Sequence, residues 1–238
     1  MPRIRRHLFH FLAAALLAAL PLAGSARARP TGLEAREPAP VAAPARDPIL
    51  FVHGWRGDRG QWRAMIARFK ADGWTDAELY AWTFDTGESN AVTAARISAR
   101  VDQILAATRA SRVDVVTHSM GALSTRYYLK NLRSSGKVDA WVSLGGPNHG
   151  TTTAQLCFSA ACREMRPGSP FLAALNEGDE TPGAPRYATW WSPCDEIVDP
   201  DGSVLLDGAA NHQTECIGHL DFFRDAAVYR AVRDFVSR

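Results

Sequence analysis

Short apolar runs alternate with longer amphipathic segments between residues 47 and 144. The runs are rich in β-branched and aromatic residues, which favours buried strands. The four predicted strands are 48–52, 79–84, 113–116 and 140–144. After the first of them, residues 62–69 place apolar side chains at i, i+3, i+4 and i+7, and Gly73 follows as a stop. Strand and helix therefore alternate from the start of this region.

Two more helices are predicted between these strands. Residues from about 89 to 110 carry a run of aliphatic side chains on one helical face. The helix after the third strand is expected to turn Leu123, Tyr127 and Leu132 inward. Each of the first three strands would thus be followed by a helix that can cover the sheet.

The second half of the chain resumes the sheet after an interruption. Residues 153–185 contain two cysteines and several prolines and glycines, which predicts a loop-rich excursion with short helices. Further strands are predicted at 187–191 and 213–217, and an amphipathic helix from Val228 to Phe235 closes the chain. The whole pattern indicates an α/β fold, with a single domain built on a mostly parallel twisted sheet with helices on both faces.

Polar residues follow four of the predicted strands at the edge where such sheets bind ligands, beyond the carboxyl ends of the strands. They are His53, Ser119, Asp195 and His219. The last three stand in the order Ser, Asp, His, which is the order in α/β-hydrolases. This edge is therefore the predicted site.

Ser119 lies in Thr-His-Ser-Met-Gly, between the third predicted strand and its helix. Only two residues separate it from Val116, so the turn is tight; such a turn exposes the hydroxyl and needs small neighbours such as Gly121. The usual nucleophile pattern has glycine where Thr117 stands, and a helix N-cap serine is the alternative interpretation. We predict a nucleophile, because a cap does not explain Ser-Met-Gly directly after a strand.

A nucleophilic serine needs a base, and His219 is the predicted one. It lies in a loop between the last strand and the last helix, from which a base can approach Ser119. His149 and His212 are the competing histidines, with rim or structural roles expected for both.

The predicted acid is Asp195, which follows directly on strand 187–191. Its role would be to orient the imidazole without taking its proton. Glu196 is the nearest alternative acid, and Asp221 is expected to cap the final helix instead. The two oxyanion donors are expected to be the backbone N–H groups of Trp55 and Met120.

All four cysteines lie in the second half of the chain, and an even count in an exported chain favours disulfides. Three pairings are open; we favour Cys157–Cys162 together with Cys194–Cys216, because the latter would tie the acid loop to the base loop. Zinc is the alternative, but the chain has no CxxC pair and no HExxH, so no metal is predicted.

The N-terminus has the order of a secretory signal peptide. Arginines are followed by an apolar run and then by Ala26-Arg27-Ala28, so cleavage is expected after residues 1–28. Residues 29–46 are rich in Pro and Ala and are expected to be a leader to a folded domain of residues 47–238. Cleavage removes four arginines and no acid, which changes the formal charge from +2 to −2. Nucleic acid is therefore not an expected partner.

The chain resembles secreted bacterial lipases of the lipase class 2 family, which include small lidless triacylglycerol lipases. The resemblance is carried by FVHGW (51–55), VVTHSMG (115–121), SLGGPNHGT (143–151), WSPCDEIV (191–198) and CIGH (216–219). It implies an α/β-hydrolase in which Ser119, Asp195 and His219 form the triad and Trp55 and Met120 supply the oxyanion donors. The family also contains the -HSMG- form without the first glycine.

This sequence departs from the smallest family members around residues 153–185, which those members lack. The lidless property is therefore not carried over, and residues 167–183 are expected to wall an acyl pocket. Trp55, Met120, Phe171 and Leu172 are the apolar residues expected near the site.

The expected function is hydrolysis of carboxylic esters through an acyl-enzyme, as in a triacylglycerol lipase. Acyl transfer to an alcohol, depolymerisation of a polyester, and a non-catalytic secreted binding protein are the alternatives. No cofactor is expected. The expected partner is a lipid or ester substrate, met in solution or at a lipid–water interface, and the protein is expected to be a secreted monomer, extracellular or periplasmic.

Overall fold

The computed structural model describes residues 46–238. The expected signal peptide, and all but the last residue of the expected leader, lie outside the described residues. No helix within the described part of the chain has the length and apolar character needed to span a bilayer.

Six parallel strands form one sheet in the order β2-β1-β3-β4-β5-β6. They are β1 (Ile49–Val52), β2 (Leu79–Ala81), β3 (Val113–His118), β4 (Val138–Leu144), β5 (Arg186–Trp191) and β6 (Ala210–Gln213). The helices are α1 (Arg63–Ala71), α2 (Asn90–Thr108), α3 (Gly121–Asn131), α4 (Ala160–Glu164), α5 (Pro170–Asn176) and α6 (Ala226–Val236). The prediction of an α/β fold with a mostly parallel sheet is confirmed.

The sheet is buried on both faces, which explains why its strands are continuous apolar runs. In β1, Leu50 and Val52 join the core beneath α2 and α3, whereas Ile49 and Phe51 join the core beneath α1 and α6. This alternation follows from the two-residue period of a strand.

Two strands differ from their predicted bounds. Strand β2 ends at Ala81; beyond it, the hydroxyl of Thr83 accepts the backbone N–H of Arg59, and the Phe84 N–H donates to His53 instead of to a strand. Strand β6 covers Ala210–Gln213, whereas residues 213–217 were predicted. Residues after 213 bend toward β5, where Cys216 is bonded to Cys194.

The inner face of α3 also differs from the prediction. Leu123 is buried as expected, but Tyr128 and Leu129 complete the buried face in place of Tyr127 and Leu132. The ring of Tyr127 stacks on Phe171 of α5 with 5.7 Å between centroids, and Leu132 lies beyond the last turn with 40% of its surface exposed.

Residues 153–185 contain a 3-10 helix (Thr152–Leu156), α4 and α5, joined by turns. Leu172 and Leu175 of α5 are buried in the core on the α3 side. The cap of α6 is Asp225, whose carboxylate accepts the backbone N–H groups of Ala227 and Val228, so the prediction of an Asp221 cap is wrong.

Candidate active site

Ser119 occupies the turn between β3 and α3 with a left-handed backbone, φ +56°. This conformation is rare for a non-glycine residue and marks local strain. The Ser119 N–H donates to the Leu144 carbonyl at 2.9 Å, and the Ser119 carbonyl accepts the N–H of Ala122 at 3.0 Å. These bonds hold the serine at the carboxyl edge of the sheet.

The neighbours of Ser119 are as small as the tight turn requires. A Cβ at Gly54 would lie 2.6 Å from the Ser119 Cβ, and one at Gly121 would lie 2.8 Å from the carbonyl oxygens of Val52 and His53. Both contacts are closer than real Cβ atoms allow, so glycine is required at both positions.

Thr117 fits where the usual motif has glycine. Its side chain is fully buried, and its hydroxyl donates to the Val142 carbonyl of β4 at 3.0 Å. The extra atoms therefore lie between β3 and β4, away from the turn.

Asp195 and His219 form a buried pair at the same edge of the sheet. Nδ1 of His219 donates to Oδ2 of Asp195 at 2.8 Å, because a carboxylate can only accept. The other Asp195 oxygen accepts the backbone N–H groups of Ile197 and Val198, both at 2.9 Å. The carboxylate is thus fixed in orientation. Nε2 of His219 is the ring nitrogen that does not contact Asp195.

The loops that carry this pair are joined by a disulfide and by hydrogen bonds, among them those between the Ser192 hydroxyl and the backbone of Ile217. Cys194 and Cys216 form a disulfide with 5.0 Å between their Cα atoms. The Glu196 carboxylate accepts the backbone N–H of His219 at 2.9 Å. Glu196, considered as an alternative acid, therefore contacts the backbone of the histidine loop while Asp195 contacts its ring.

His118 contacts His219 through both its ring and a hydrogen bond. Its Nε2 donates to the His219 carbonyl at 3.0 Å, and the two ring centroids are 4.6 Å apart. Burial, assisted by the nearby His219, lowers the pKa of His118 well below its usual range, so this ring is neutral. Sequence reasoning placed His118 beside the nucleophile but gave it no role, since its contact with His219 spans 101 residues of chain.

The other histidines have separate partners. His53 is stacked on Phe84, with Nδ1 donating to the Gly54 carbonyl and Nε2 accepting the Phe84 N–H. His149 pairs with Glu180 at 2.8 Å, and His212 stacks on Trp190.

Sequence reasoning also missed Gly145, which follows β4 with φ +56°. A Cβ there would lie 2.9 Å from the Phe222 ring and 3.1 Å from Oδ2 of Asp195. Glycine therefore makes room for the acid, and the only sequence signal was the Gly-Gly pair directly after the predicted strand.

A cavity of about 330 Å³ opens beside Ser119 and His219. Its walls are mainly apolar, and the apolar side chains include Ala154, Cys157, Met165, Ile197, Val198 and Leu220. Trp55, which was expected near the site, lines this cavity. Phe171 and Leu172 do not line this cavity, nor does any other residue of 167–183, because α5 packs on α3; that prediction is wrong.

The backbone N–H groups around Ser119 are largely committed to other partners. The Arg56 N–H donates to the Thr86 hydroxyl at 3.0 Å, and the Gly57 N–H donates to the Gly54 carbonyl at 3.1 Å. The Ser119 N–H is likewise taken. The two predicted donors are next to these N–H groups in sequence. Trp55 precedes Arg56 in the loop after β1, and Met120 follows Ser119 in the turn.

One group of carboxylates, within the described residues, is close enough to share a metal ion. Asp47, Asp114 and Asp139 have oxygen atoms within 4.8 Å of one another. They lie at the amino edge of the sheet, away from Ser119, and Arg112 and Arg186 both pair with Asp139. The arginines supply the positive charge there.

A parallel sheet with a strained serine after its third strand and an aspartate–histidine pair at the same edge defines the α/β-hydrolase class. The chain belongs to the lipase (class 2) family, which matches residues 46–207. A triacylglycerol lipase of Burkholderia plantarii is 31% identical over 120 residues, which are 47% of this chain and 33% of that protein. The chain thus matches about a third of the length of that relative.

Solved structures share the fold. The mature form of Bacillus licheniformis lipase BlEst2 superposes with a TM-score of 0.72 at 16% identity, over 84% of this chain and 96% of that one. Aspergillus fumigatus lipase B also gives a TM-score of 0.72, at 19% identity over 83% of this chain and 56% of that one. These similarities establish the α/β-hydrolase architecture.

Proposed function

We propose that this protein is a carboxylic ester hydrolase of the triacylglycerol lipase type, with Ser119 as nucleophile. The observation that carries the proposal is the buried His219–Asp195 bond of 2.8 Å at a cavity that Ser119 shares. Membership of the class 2 lipases and the similarity to a triacylglycerol lipase support the same reaction.

In the proposed reaction, the Ser119 hydroxyl attacks the ester carbonyl while Nε2 of His219 takes its proton. Asp195 holds the imidazole in the tautomer with Nδ1–H and stabilises the imidazolium that forms. The tetrahedral intermediate collapses, His219 gives the proton to the departing alcohol, and an acyl ester remains on Ser119. Water then attacks this ester with the same base, which releases the acid and restores the serine.

The negative oxygen of the tetrahedral intermediate would be stabilised by the N–H groups of Trp55 and Met120. Their neighbours support this choice, since the N–H groups of Arg56, Gly57 and Ser119 donate elsewhere. Backbone donors need no reorganisation during the reaction, and removing a single oxyanion donor costs about 10²- to 10³-fold in rate in other enzymes.

The cavity supports the proposed substrate class. Its apolar walls suit an acyl chain, and its volume of about 330 Å³ is at the small end for ligand cavities. Export to an oxidising compartment is part of the proposal, and the two disulfides of the described chain support it.

Replacing the nucleophile tests the reaction. We expect Ser119→Ala to lower kcat for a p-nitrophenyl ester by at least about 10⁴-fold and to abolish labelling by a fluorophosphonate. Thermal unfolding monitored by circular dichroism should show that the fold persists. Turnover near the wild-type level in this variant would exclude Ser119 as the nucleophile.

The base is tested with two histidine variants. We expect His219→Ala to lower kcat by at least about 10³-fold, whereas His212→Ala, stacked on Trp190 away from the cavity, should stay within about twofold. Kinetics of both variants on one dissolved ester compare them directly. The opposite ranking would assign the base to His212.

A further inference from the structure

The two most exposed large apolar side chains of residues 46–238 lie on either side of a residue that lines the cavity. Leu156 and Phe158 are 81% and 77% exposed, the highest values for large apolar residues in that range. They flank Cys157, which lines the cavity together with Trp55 and Leu220, themselves 38% and 55% exposed. Exposed apolar groups collected around one opening mark a binding surface.

The loop that presents Leu156 and Phe158 is fixed in place. Cys157 is bonded to Cys162 with 5.7 Å between their Cα atoms. From below, the Arg166 guanidinium donates to the carbonyls of Ala154 and Cys157 at 3.2 and 2.8 Å. The disulfide and these hydrogen bonds therefore hold the loop in a conformation that leaves the side chains of Leu156 and Phe158 exposed to water.

Helix α4, which closes this loop, is anchored to the main fold. The carboxylate of Glu164 accepts hydrogen bonds from the hydroxyl of Ser89 and from the backbone and side-chain nitrogens of Asn90, at 2.5 to 2.9 Å. A carboxylate at the N-terminus of α2 is favoured by the helix dipole. The exposed loop is thus attached through Glu164 to the first residues of α2.

We propose that the loop of residues 156–162, stapled by Cys157–Cys162, docks the protein on a lipid surface by inserting Leu156 and Phe158. Its purpose depends on the proposed lipase function, since docking would place the cavity mouth against the lipid. The two side chains point into solvent beside an open cavity with apolar walls, and a protein partner covering them would block that opening.

Charge near the loop suits a lipid surface as well. The guanidinium of Arg166 lies 5.9 Å from the centroid of the Phe158 ring, and Arg163 donates to the Phe158 carbonyl. The guanidinium of Arg56 lies 5.4 Å from the Trp55 ring. Apolar tips with arginines behind them are the arrangement of interfacial segments, in which the tips enter the acyl region and the cations meet head-group phosphates.

The docking is tested by sedimentation with phosphatidylcholine vesicles, using Ser119→Ala protein so that the lipid is not consumed. We expect the added pair Leu156→Ser and Phe158→Ser to lower the partition coefficient by at least about 10-fold. Leu132→Ser is the matched control, because Leu132 is also exposed but follows the end of α3, which runs back from the serine turn to the other edge of the sheet. This control should stay within about twofold of the parent.

Vesicle binding measured at high salt distinguishes apolar insertion from electrostatic attraction. Insertion of apolar side chains should persist in salt that screens charges. Loss of all vesicle binding in high salt, or equal binding by the parent and the Leu156/Phe158 variant, overturns the proposal. So does a change from dimer to monomer in that variant with vesicle binding unaltered, since the loop would then be a contact between copies.

Two substrates separate this proposal from the proposed function. With Ser119 intact, the Leu156/Phe158 variant should keep its rate on a dissolved short-chain ester within about twofold and lose at least about 10-fold on an emulsified triacylglycerol. If the wild type hydrolyses neither substrate but binds vesicles through the loop, the lipase function fails and the docking stands. If it hydrolyses both, and the variant matches it on vesicles and emulsion, the docking fails and the lipase function stands.

Discussion

At the scale of single residues, the strained backbone of Ser119 is held by its neighbours. A positive φ of 56° at a non-glycine residue costs about 1–3 kcal/mol and persists only where the surroundings determine it. Hydrogen bonds to Leu144 and from Ala122 fix the turn, and Gly54 lies against the serine side chain. The position of the hydroxyl therefore depends on residues that do not react.

Gly54→Ala tests that dependence. The new methyl group would lie 2.6 Å from the Ser119 Cβ and 3.2 Å from its Oγ, so the serine must move. We expect kcat/KM for a dissolved ester to fall by about 10- to 100-fold, since small displacements of a reacting group have effects of that size. Steady-state kinetics on the purified variant provide the measurement.

Gly136→Ala is the control for this substitution, because a Cβ at that exposed position meets nothing within 4 Å. It should leave kcat/KM within about twofold of the wild-type value, as surface substitutions usually do. Equal activities of the two alanine variants would show that Gly54 does not position the serine.

At the scale of elements, the apolar runs predicted the strands of the inner sheet well. Runs such as 49–52 and 113–118 are buried on both faces, so burial alone selects β-branched and aromatic residues there. The same reasoning failed for β6, whose four residues are all exposed and carry no such signal. An edge strand with polar residues is fixed by its partner β5 and not by its own pattern.

The site was predictable to the same limited degree. Ser119, Asp195 and His219 follow strands at one edge, so the fold itself brings their loops together. The supporting contacts made by Glu196 and His118 were not predictable, since each depends on side-chain directions across 23 and 101 residues of chain.

The amino edge of the sheet holds a buried charge cluster. Asp114 is the second residue of β3, is almost fully buried and accepts the Ala140 N–H at 3.0 Å. Burial, together with the charges of Asp47 and Asp139 and against the opposing charge of Arg186, raises the pKa of Asp114 to about 8. Asp114 is therefore mostly protonated at neutral pH.

This raised pKa makes stability depend on pH. In the unfolded chain Asp114 loses its proton near pH 3.8, whereas in the folded protein it does so near pH 8. The folded state therefore binds more protons between these values, so stability falls as pH rises through that window. We expect Asp114→Asn to remove a slope of up to about 1.4 kcal/mol per pH unit.

Urea unfolding of both proteins at several values between about pH 6.5 and 8 checks this expectation. Histidines that are neutral when folded, such as His118, also titrate in the lower part of that range when unfolded, but their contribution is the same in both proteins and cancels in the comparison. The stability of Asp114→Asn relative to the wild type should increase with pH. Parallel curves would show that Asp114 is ionised in the folded state.

At the scale of the whole molecule, the proposed triad draws on two loops that lie far from Ser119 in sequence. The loops of Asp195 and His219 leave β5 and β6 at one side of the sheet and are bonded to each other by Cys194–Cys216. This bond closes a segment of 22 residues, which corresponds to about 3 kcal/mol in the loop-entropy treatment.

Replacing both cysteines tests what the bond contributes. We expect Cys194→Ser with Cys216→Ser to lower the free energy of unfolding by about 3 kcal/mol and kcat/KM for a dissolved ester by about 10-fold, since the loops of Asp195 and His219 lose their covalent link and keep only hydrogen bonds. Denaturant unfolding and steady-state kinetics measure the two effects.

The matched control is Cys157→Ser with Cys162→Ser, which opens a loop of only 5 residues beside the cavity. It should cost less stability and leave the rate on a dissolved ester within about twofold. A larger loss of activity in this control than in the Cys194/Cys216 variant would contradict the assignment of the tie to the acid and base loops.

The Cys194–Cys216 bond also matters for how the protein is handled in the laboratory. A sample in which dithiothreitol has reduced this disulfide and a sample oxidised in air have the same sequence. They differ in whether the loops of Asp195 and His219 are covalently linked. A difference in specific activity between two such samples would reflect the state of the disulfide as well as the rate of catalysis. A count of free thiols therefore belongs beside every rate measured for this enzyme.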